Sequence, residues 1–330
     1  MEVRKLQTTA GGTFMVTVPR DWVEKLGLKK GDHLSVEREG NNIILSSSAS
    51  VSPERRPLEI SGFREMKMLD LCVTAAYMVG HDVTEVVSGR KMAPEQKRWT
   101  REAVEHLLGL EISEEYSDQM ILQNFIDPMK FDAFRMFERF SAASIAVLSD
   151  SVKALADADP SLAQDAFERG GDSTKNYRLL YRLALQCSND KRLRVHMNLP
   201  NVTSAVVFLQ SVRELGRAAY YSMRIAQHVL ELKRRPASAL IDAIAEMARM
   251  AASMQEQAAA ALMGRNVEIA SAVIDRLDRV RKLNEGAYLL LFRERDEESS
   301  MAISQIVRDI RNIASHASAL AEDAALFAFA

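Results

Sequence analysis

Three arginines and one tyrosine share one face of a predicted helix in the middle of the chain: Arg213, Arg217, Tyr220 and Arg224. At about 100° per residue the three arginines fall within about 40° of one another, and Tyr220 lies on the same stripe. Guanidinium groups match the geometry of phosphate and carboxylate, so this arginine stripe predicts a face that binds an anion or a partner. The competing interpretation, which charged stripes on bundles generally favour, is a set of interhelical salt bridges. Its candidate carboxylates, which share a face of the preceding helix, are Asp165, Glu168 and Asp172.

Motifs for catalysis are missing from the sequence. The six histidines are scattered, without an HxxxH or HExxH pair. No glycine-rich phosphate loop or GxSxG nucleophile turn occurs, and Gly170-Gly171 is interpreted as a helix interruption. We therefore predict that the protein is not an enzyme, with no catalytic residues and no cofactor.

Composition narrows the class of protein. A chain of 330 residues has room for two or three domains. Its formal net charge of −2 excludes a polybasic nucleic-acid coat, so any DNA contact must come from a local patch or from dimer symmetry. Cys72 and Cys187 are too distant in sequence for a CxxC site and fit a reducing compartment. Without a signal peptide or an apolar run of ~18 residues, we expect a cytoplasmic protein that does not insert into membranes.

The first 47 residues predict a small module of strands and one short helix. Residues 14–18 are β-branched or bulky, as strands are, and Pro19 suits the first position of a helix that ends at Gly27. Residues 33–37 and 43–45 predict two further strands. Four short strands bury too little apolar area to fold alone, so we expect the module to borrow strands from a second copy.

This module resembles the SpoVT/AbrB (MazE-like) swapped-hairpin family. The resemblance rests on Val16-Thr17-Val18-Pro19-Arg20, then Leu26-Gly27-Leu28-Lys29-Lys30-Gly31-Asp32, then Ile43-Ile44-Leu45. It implies an intertwined homodimer that binds DNA through basic loops. The candidate phosphate contacts are Arg4, Lys5, Arg20, Lys25, Lys29 and Lys30. The chain departs from the family at Thr13, where an arginine is common, and at Val23-Glu24, where the family has an arginine pair. The competing interpretation is that the module mainly dimerises.

Residues 48–57 are rich in serine and predict a linker, and residues 58–127 predict an α/β connector. In the connector we expect helices near residues 63–79 and 94–108. A strand is expected near 82–87, and segments near 109–112 and 120–122 can pair. The segments at residues 75–82 and 107–112 resemble the connector of archaeal-type phosphate uptake regulators, which fuse an AbrB-like module to a PhoU domain.

The remaining residues predict six long helices, near 129–157, 161–188, 200–234, 237–263, 266–293 and 299–327. They form a three-helix unit twice, at residues 128–234 and 235–330. The third helix of each unit resembles the PhoU pattern Leu-Glu-Arg-Ile-Gly-Asp-His-Ala, at Val212–Ala219 and again at Ile310–Ala317. The predicted fold class is therefore multidomain: a swapped-hairpin module, an α/β connector and an all-α half of two PhoU-like three-helix bundles.

The acidic residues of the PhoU pattern are replaced. In that family the Glu and the Asp lie four residues apart on one helix face and can hold metal ions. Here those places hold Arg213 and Arg217 in the first copy, and Arg311 and Ser315 in the second. We therefore predict no metal at these faces, with His316 a histidine of the bundle rather than a ligand.

Together these features predict a dimeric, phosphate-responsive regulator of phosphate uptake that binds DNA. The alternative is an adaptor that does not bind DNA. As the PhoU resemblance implies, its bundles would contact a phosphate transporter ATPase or a sensor kinase.

Overall fold

The computed structural model describes residues 2–39, 42–47, 55–63, 65–293 and 297–330. Contacts between residues divide the chain into two compact units, residues 1–54 and residues 55–330.

The first unit contains two short antiparallel hairpins and one helix. Strands β1 (Gln7–Thr8) and β2 (Phe14–Met15) form one hairpin, and β3 (Leu34–Glu39) and β4 (Asn42–Ser47) form the other. Helix α1 (Arg20–Lys25) lies between them in sequence. Pro19 precedes this helix, and Gly27, at φ +64°, follows it in the left-handed region that favours glycine. The predicted module of strands and one helix is thus present.

This unit leaves its apolar side chains exposed. Val3 is 82 % exposed, Phe14 66 % and Ile43 74 %. Among the described residues of the unit with an assigned burial, only Pro19 is buried. The described residues of this unit therefore form no hydrophobic core in a single copy.

The second unit begins with a four-stranded sheet in the order β5–β6–β8–β7. Strands β5 (Arg55–Glu59) and β6 (Val83–Val87) are parallel and are joined by helix α2 (Met66–Met78). Helix α3 (Pro94–Glu105) then leads to the antiparallel hairpin of β7 (Leu110–Glu115) and β8 (Gln119–Asn124).

Strand β5 corrects part of the linker prediction. Residues 48–54 lie outside the described residues, but residues 55–57 belong to the sheet, where Arg55 pairs with Val83 and Pro57 with Glu85. This strand was not predicted from the sequence, because its five residues include a proline and two arginines. Proline is tolerated here because β5 is an edge strand.

Long helices make up the rest of the unit. The first set is α4 (Ala133–Asp157), α5 (Pro160–Asn189), the short α6 (Lys191–His196) and α7 (Val202–Leu230). The second set is α8 (Ser238–Gly264), α9 (Val267–Asp275), α10 (Leu277–Leu291) and α11 (Glu297–Phe329). Asp132, Asp159 and Asn201 cap α4, α5 and α7 by accepting hydrogen bonds from first-turn amides.

The predicted pair of three-helix bundles is confirmed, with two local corrections. The helix expected at residues 266–293 divides into α9 and α10 at Arg276, and α5 runs through Gly170-Gly171 without interruption. The two bundles also pack against each other, although the repeated three-helix pattern in the sequence predicted two separate units. Helix α7 packs against α11 and α4 against α8, so one buried apolar cluster extends from Ala133 to Phe327.

Arg182 connects the bundles to the segment between α2 and β6. This α5 side chain is 1 % exposed and donates hydrogen bonds to the carbonyl oxygens of Tyr77 (2.6 Å) and His81 (2.9 Å). It also pairs with the carboxylate of Asp82 at 2.6 Å. The Tyr77 carbonyl belongs to the last turn of α2 and also accepts from the backbone N–H of Gly80 at 3.1 Å, so the guanidinium adds a second donor at the end of this helix.

Within the described residues, no helix combines the length and the apolar character that a bilayer crossing demands.

Candidate functional site

The arginine stripe lies on α7, and its members differ in exposure. Arg213, Arg217 and Tyr220 are exposed, whereas Arg224 is half-buried. The stripe therefore has an open end and an enclosed end.

At the enclosed end Arg224 is held by α11. Its Nε lies 3.5 Å from Oδ2 of Asp309, a residue with no exposed surface, and its Nη2 lies 3.0 Å from Nε2 of His228. Burial raises the pKa of Asp309, and the nearby charges of Arg224 and Arg308 oppose that shift. Arg224 therefore has a salt-bridge partner, and that partner is on α11 rather than α5.

At the open end Arg213 and Arg217 have no hydrogen bond or ion pair within the described part of the chain. The carboxylates expected to pair with them are engaged along α5 itself. Asp165 pairs with Arg169 (2.8 Å), Glu168 accepts from Gln164 (2.8 Å), and Asp172 pairs with Lys175 (3.5 Å). The predicted bridges from α5 to Arg213 and Arg217 are thus absent among these residues.

Arg217 and Tyr220 also line a cavity of about 200 Å³ between α4, α5 and α7. Two glycines let the helices approach here. A Cβ on Gly216 would lie 2.3 Å from the Tyr177 ring, and one on Gly170 would lie 2.7 Å from Cβ of Met223. Burial raises the pKa of Tyr177, while Arg213 and Arg217 act to lower it. The arginines and the phenol therefore share one electrostatic environment at the cavity.

A second set of polar residues, of which only His316 was singled out from the sequence, lies between α7 and α11. On α11 these residues follow one another at intervals of seven: Asp309, His316 and Asp323. Residues at the same interval on α7 are Glu214, Tyr221 and His228. Residues seven apart return to nearly the same helix face, and this spacing was the signal that could have found them.

These two rows meet because α7 and α11 pack against each other. Nδ1 of His316 lies 2.7 Å from Oε2 of Glu214, and its ring stacks on Tyr221 with centroids 5.6 Å apart. Asp323 is 8 % exposed, and burial, with Glu214 as the next cause, raises its pKa to about 7. His316, predicted to be a bundle histidine, is thus ion-paired with Glu214 when protonated.

The six candidate DNA contacts are all exposed: Arg4, Lys5, Arg20, Lys25, Lys29 and Lys30. Arg4 pairs with Glu2, and Nε of Arg20 lies 2.7 Å from Oε1 of Glu24. Exposed pairs of this kind are weak, so neither prevents a contact with phosphate.

The PhoU-pattern places of the second bundle hold Arg311 and Ser315, both exposed, and the Ser315 hydroxyl donates to the carbonyl oxygen of Arg311 at 3.0 Å. In the described part of the molecule, no three His, Cys, Asp or Glu side chains are grouped so as to hold a metal ion.

The fold defines a class: a small strand-rich module followed by an α/β connector and two three-helix bundles. Comparison with protein families then identifies its parts. The family described as "PhoU domain" matches residues 137–229 and 244–324, more than half of the chain. The chain belongs to the PhoU domain family. Residues 7–56 match the family described as "Antidote-toxin recognition MazE, bacterial antitoxin", which confirms the fusion of a MazE/AbrB-like module to a PhoU domain.

Two solved structures share the fold. The phosphate transport system regulatory protein PhoU from Streptococcus pneumoniae is 15 % identical, with a TM-score of 0.51 over 59 % of this chain and 92 % of that one. PhoU from Pseudomonas aeruginosa is 18 % identical, with a TM-score of 0.53 over 59 % and 95 %. A search of curated proteins found no match.

Proposed function

We propose that the protein is a phosphate-responsive regulator of phosphate uptake that binds DNA as a homodimer in the cytoplasm. The observation that carries the proposal is the presence in one chain of a MazE-like module and a complete PhoU-like pair of bundles. The first kind of module brings a protein to another macromolecule, and one solved relative of the second is named as a phosphate transport system regulatory protein.

The DNA-binding part of the proposal rests on exposed positive charge. Six exposed cations in one copy become twelve in a homodimer, and contacts to phosphate supply most of the sequence-independent affinity for DNA. The exposed apolar side chains of the module support the homodimer, because a second copy would cover them.

The sensing part of the proposal rests on Arg213 and Arg217. Both are exposed, and neither has an ion-pair partner in the described parts of the chain, whereas Arg224 on the same stripe is held by Asp309. An unpaired pair of guanidinium groups beside Tyr220 suits a phosphate ion or an acidic surface of a partner protein.

The alternative is an adaptor that contacts a phosphate transporter ATPase or a sensor protein and does not bind DNA. The observation that favours it is local neutralisation of the module. Glu2 pairs with Arg4, and Glu24 pairs with Arg20, so two of the six candidate contacts already have a carboxylate beside them.

A salt series separates the two functions. We expect the full chain to bind promoter DNA of phosphate-uptake genes with an affinity that falls steeply with salt. The double change Arg4→Ala, Lys5→Ala should lower the slope of log K against log salt by about 0.9 for each DNA phosphate that is no longer neutralised. A matched control is Arg281→Ala, Lys282→Ala on α10, an adjacent exposed pair whose arginine also has a carboxylate partner, Asp278 at 2.7 Å. Absence of wild-type binding at low salt would favour the adaptor.

Calorimetric titration with inorganic phosphate tests the sensing face. Arg217→Glu should abolish binding without lowering the melting temperature, because this side chain has no partner to lose in the described residues. If phosphate titrations are featureless in both proteins, the stripe does not sense phosphate directly and a partner protein becomes its candidate ligand.

A further inference from the structure

An open cleft of about 670 Å³ lies at the edge of the connector sheet, far from the arginine stripe in sequence. It is lined by residues that follow strands β5 and β6 and by the start of α3. Those that bear on its chemistry are Phe63, Ser88, Arg90, Lys91, Glu95 and Trp99. We call it the connector cleft.

The topology of the sheet explains why a cleft forms here. Strands β5 and β6 are parallel neighbours, so their carboxyl ends meet at one edge. The chain leaves β5 for α2 and leaves β6 for α3, and the two exits open a crevice between them. Crevices at the carboxyl ends of parallel strands are where open α/β sheets bind ligands.

The cleft carries positive charge that nothing in the described residues neutralises directly. Arg90 and Lys91 are exposed and have no ion pair within that part of the chain. Helix α3 begins at the same place, with Ala93 before it, and Ala93 has no side-chain acceptor for the first-turn amides. Those amides and the two cations suit an anion, although the exposed carboxylate of Glu95 also lines the cleft.

Ser88 adds an independent sign of a ligand. It lines the cleft, yet only 2 % of its surface is exposed. Its backbone N–H donates to the carbonyl oxygen of Asp118 at 3.1 Å, but no hydrogen bond of its hydroxyl is found within the described residues. Because Ser88 lines the cleft and its hydroxyl makes no hydrogen bond to the described residues, that hydroxyl is available to a bound group.

Two aromatic side chains complete the cleft. Phe63 and Trp99 are partly buried, and each packs against the connector core as well as lining the cleft. Their rings offer apolar faces on which a planar group can stack, and an Arg–Lys pair close by offers contacts for phosphate. The volume exceeds what a phosphate ion alone would fill.

We propose that the connector cleft binds a nucleotide. Its phosphate would contact Arg90, Lys91, the α3 amides and the Ser88 hydroxyl, and its base would contact Phe63 and Trp99. This inference does not depend on the proposed function, since the cleft uses none of the residues assigned to DNA binding or to the arginine stripe.

Tryptophan fluorescence of the full chain tests the proposal. The sequence has two tryptophans, so Trp22→Phe leaves Trp99 as the only reporter. Titration with AMP, ADP and ATP should change its fluorescence saturably, with at least one dissociation constant below the millimolar range. In the same background, Arg90→Ala with Lys91→Ala should weaken that binding at least tenfold, and Ser88→Ala should weaken it several-fold.

The control is Arg213→Ala with Arg217→Ala, which should leave nucleotide binding unchanged. Circular dichroism would verify that the cleft variants, whose changed cations are exposed, remain folded. A flat titration with every nucleotide would overturn the proposal. So would equal affinity for inorganic phosphate and AMP, because the rings would then contribute nothing. Much tighter binding of a single-stranded oligonucleotide would also overturn it, in favour of a nucleic-acid surface.

Discussion

Residues 2–47 and residues 55–330 distribute their apolar side chains in opposite ways. The helical bundles bury most of theirs in one cluster that runs from Ala133 to Phe327. The N-terminal module exposes Phe14, Ile43 and other large apolar side chains that strands normally bury. Since burial of apolar surface is the main favourable term in folding, the second region can fold as a single chain and the first is incomplete without a partner.

One chain therefore combines two modes of stabilisation. In residues 55–330 the native state depends on contacts within the chain, so its stability should not change with protein concentration. In the module it should depend on concentration, because association and folding are the same event.

The largest expected effect tests this contrast directly. Ile43→Asp on the exposed face of β4 should abolish the dimer at micromolar concentration, because a charge buried in an apolar interface costs several kcal/mol. Analytical ultracentrifugation of the full chain is the measurement.

Leu289→Asp is the matched control. Leu289 is a 66 % exposed leucine on α10, and we expect this change to leave the association state as it is. If Ile43→Asp proved as harmless as the control, the module would not associate through β4, and the contrast between the two regions would fail.

The sequence predicted the repeated elements well because their signals are long and redundant. Six periodic helical segments and their breaks at Asp159-Pro160 and Arg235-Pro236 indicated the bundles, and a resemblance covering most of residues 3–47 indicated the module. The short edge strand β5 was not predicted, because five residues that include a proline and two arginines show no strand pattern.

The candidate site was harder to predict, since pairing depends on geometry between distant helices. The stripe on α7 was found from its spacing alone. Nothing in that spacing showed that Arg224 would meet Asp309 across the bundle while Arg213 and Arg217 remained open. The domain boundaries at residues 47, 127 and 234 stay predictions, as do the site assignments.

The next largest effect lies within the second region. Arg182→Ala should destabilise residues 55–330 by about 3 kcal/mol, because it removes the hydrogen bonds of a buried guanidinium to Tyr77 and His81 and leaves a cavity where a side chain that is 1 % exposed had packed. Chemical denaturation followed by circular dichroism would measure it.

Arg169→Ala on the same helix is the control for Arg182→Ala. Arg169 pairs with Asp150 and Asp165 at the surface, with 41 % of its side chain exposed, so its loss should cost less than about 1 kcal/mol. Similar costs for the two arginines would mean that the contact between the connector and α5 adds little. The second region would then behave as two weakly joined parts.

The smallest expected effect concerns the pH dependence of stability in the second region, where a carboxyl group is buried. Asp323 lies between α7 and α11, and burial raises its pKa from an ordinary 3.8 to about 7. Between these pH values the folded state binds a proton that the unfolded state has released. Stability from this group is therefore present below about pH 4 and is lost as pH rises toward 7.

Asp323→Asn should remove this pH dependence, because the amide occupies the same space without a charge. We expect the variant's stability advantage over the wild type to grow by on the order of 2 kcal/mol between pH 5 and pH 8, because each pKa unit corresponds to about 1.4 kcal/mol. Glu322→Gln, which changes the neighbouring exposed carboxylate, should alter stability by less than about 0.5 kcal/mol at either pH. Melting temperatures across pH 5–8 are the measurement. A variant that is less stable than the wild type at pH 8 would show that the Asp323 carboxylate is stabilised by its surroundings. Ionised Asp323 would then stabilise the packing of α7 against α11 as the pH rises, instead of destabilising it.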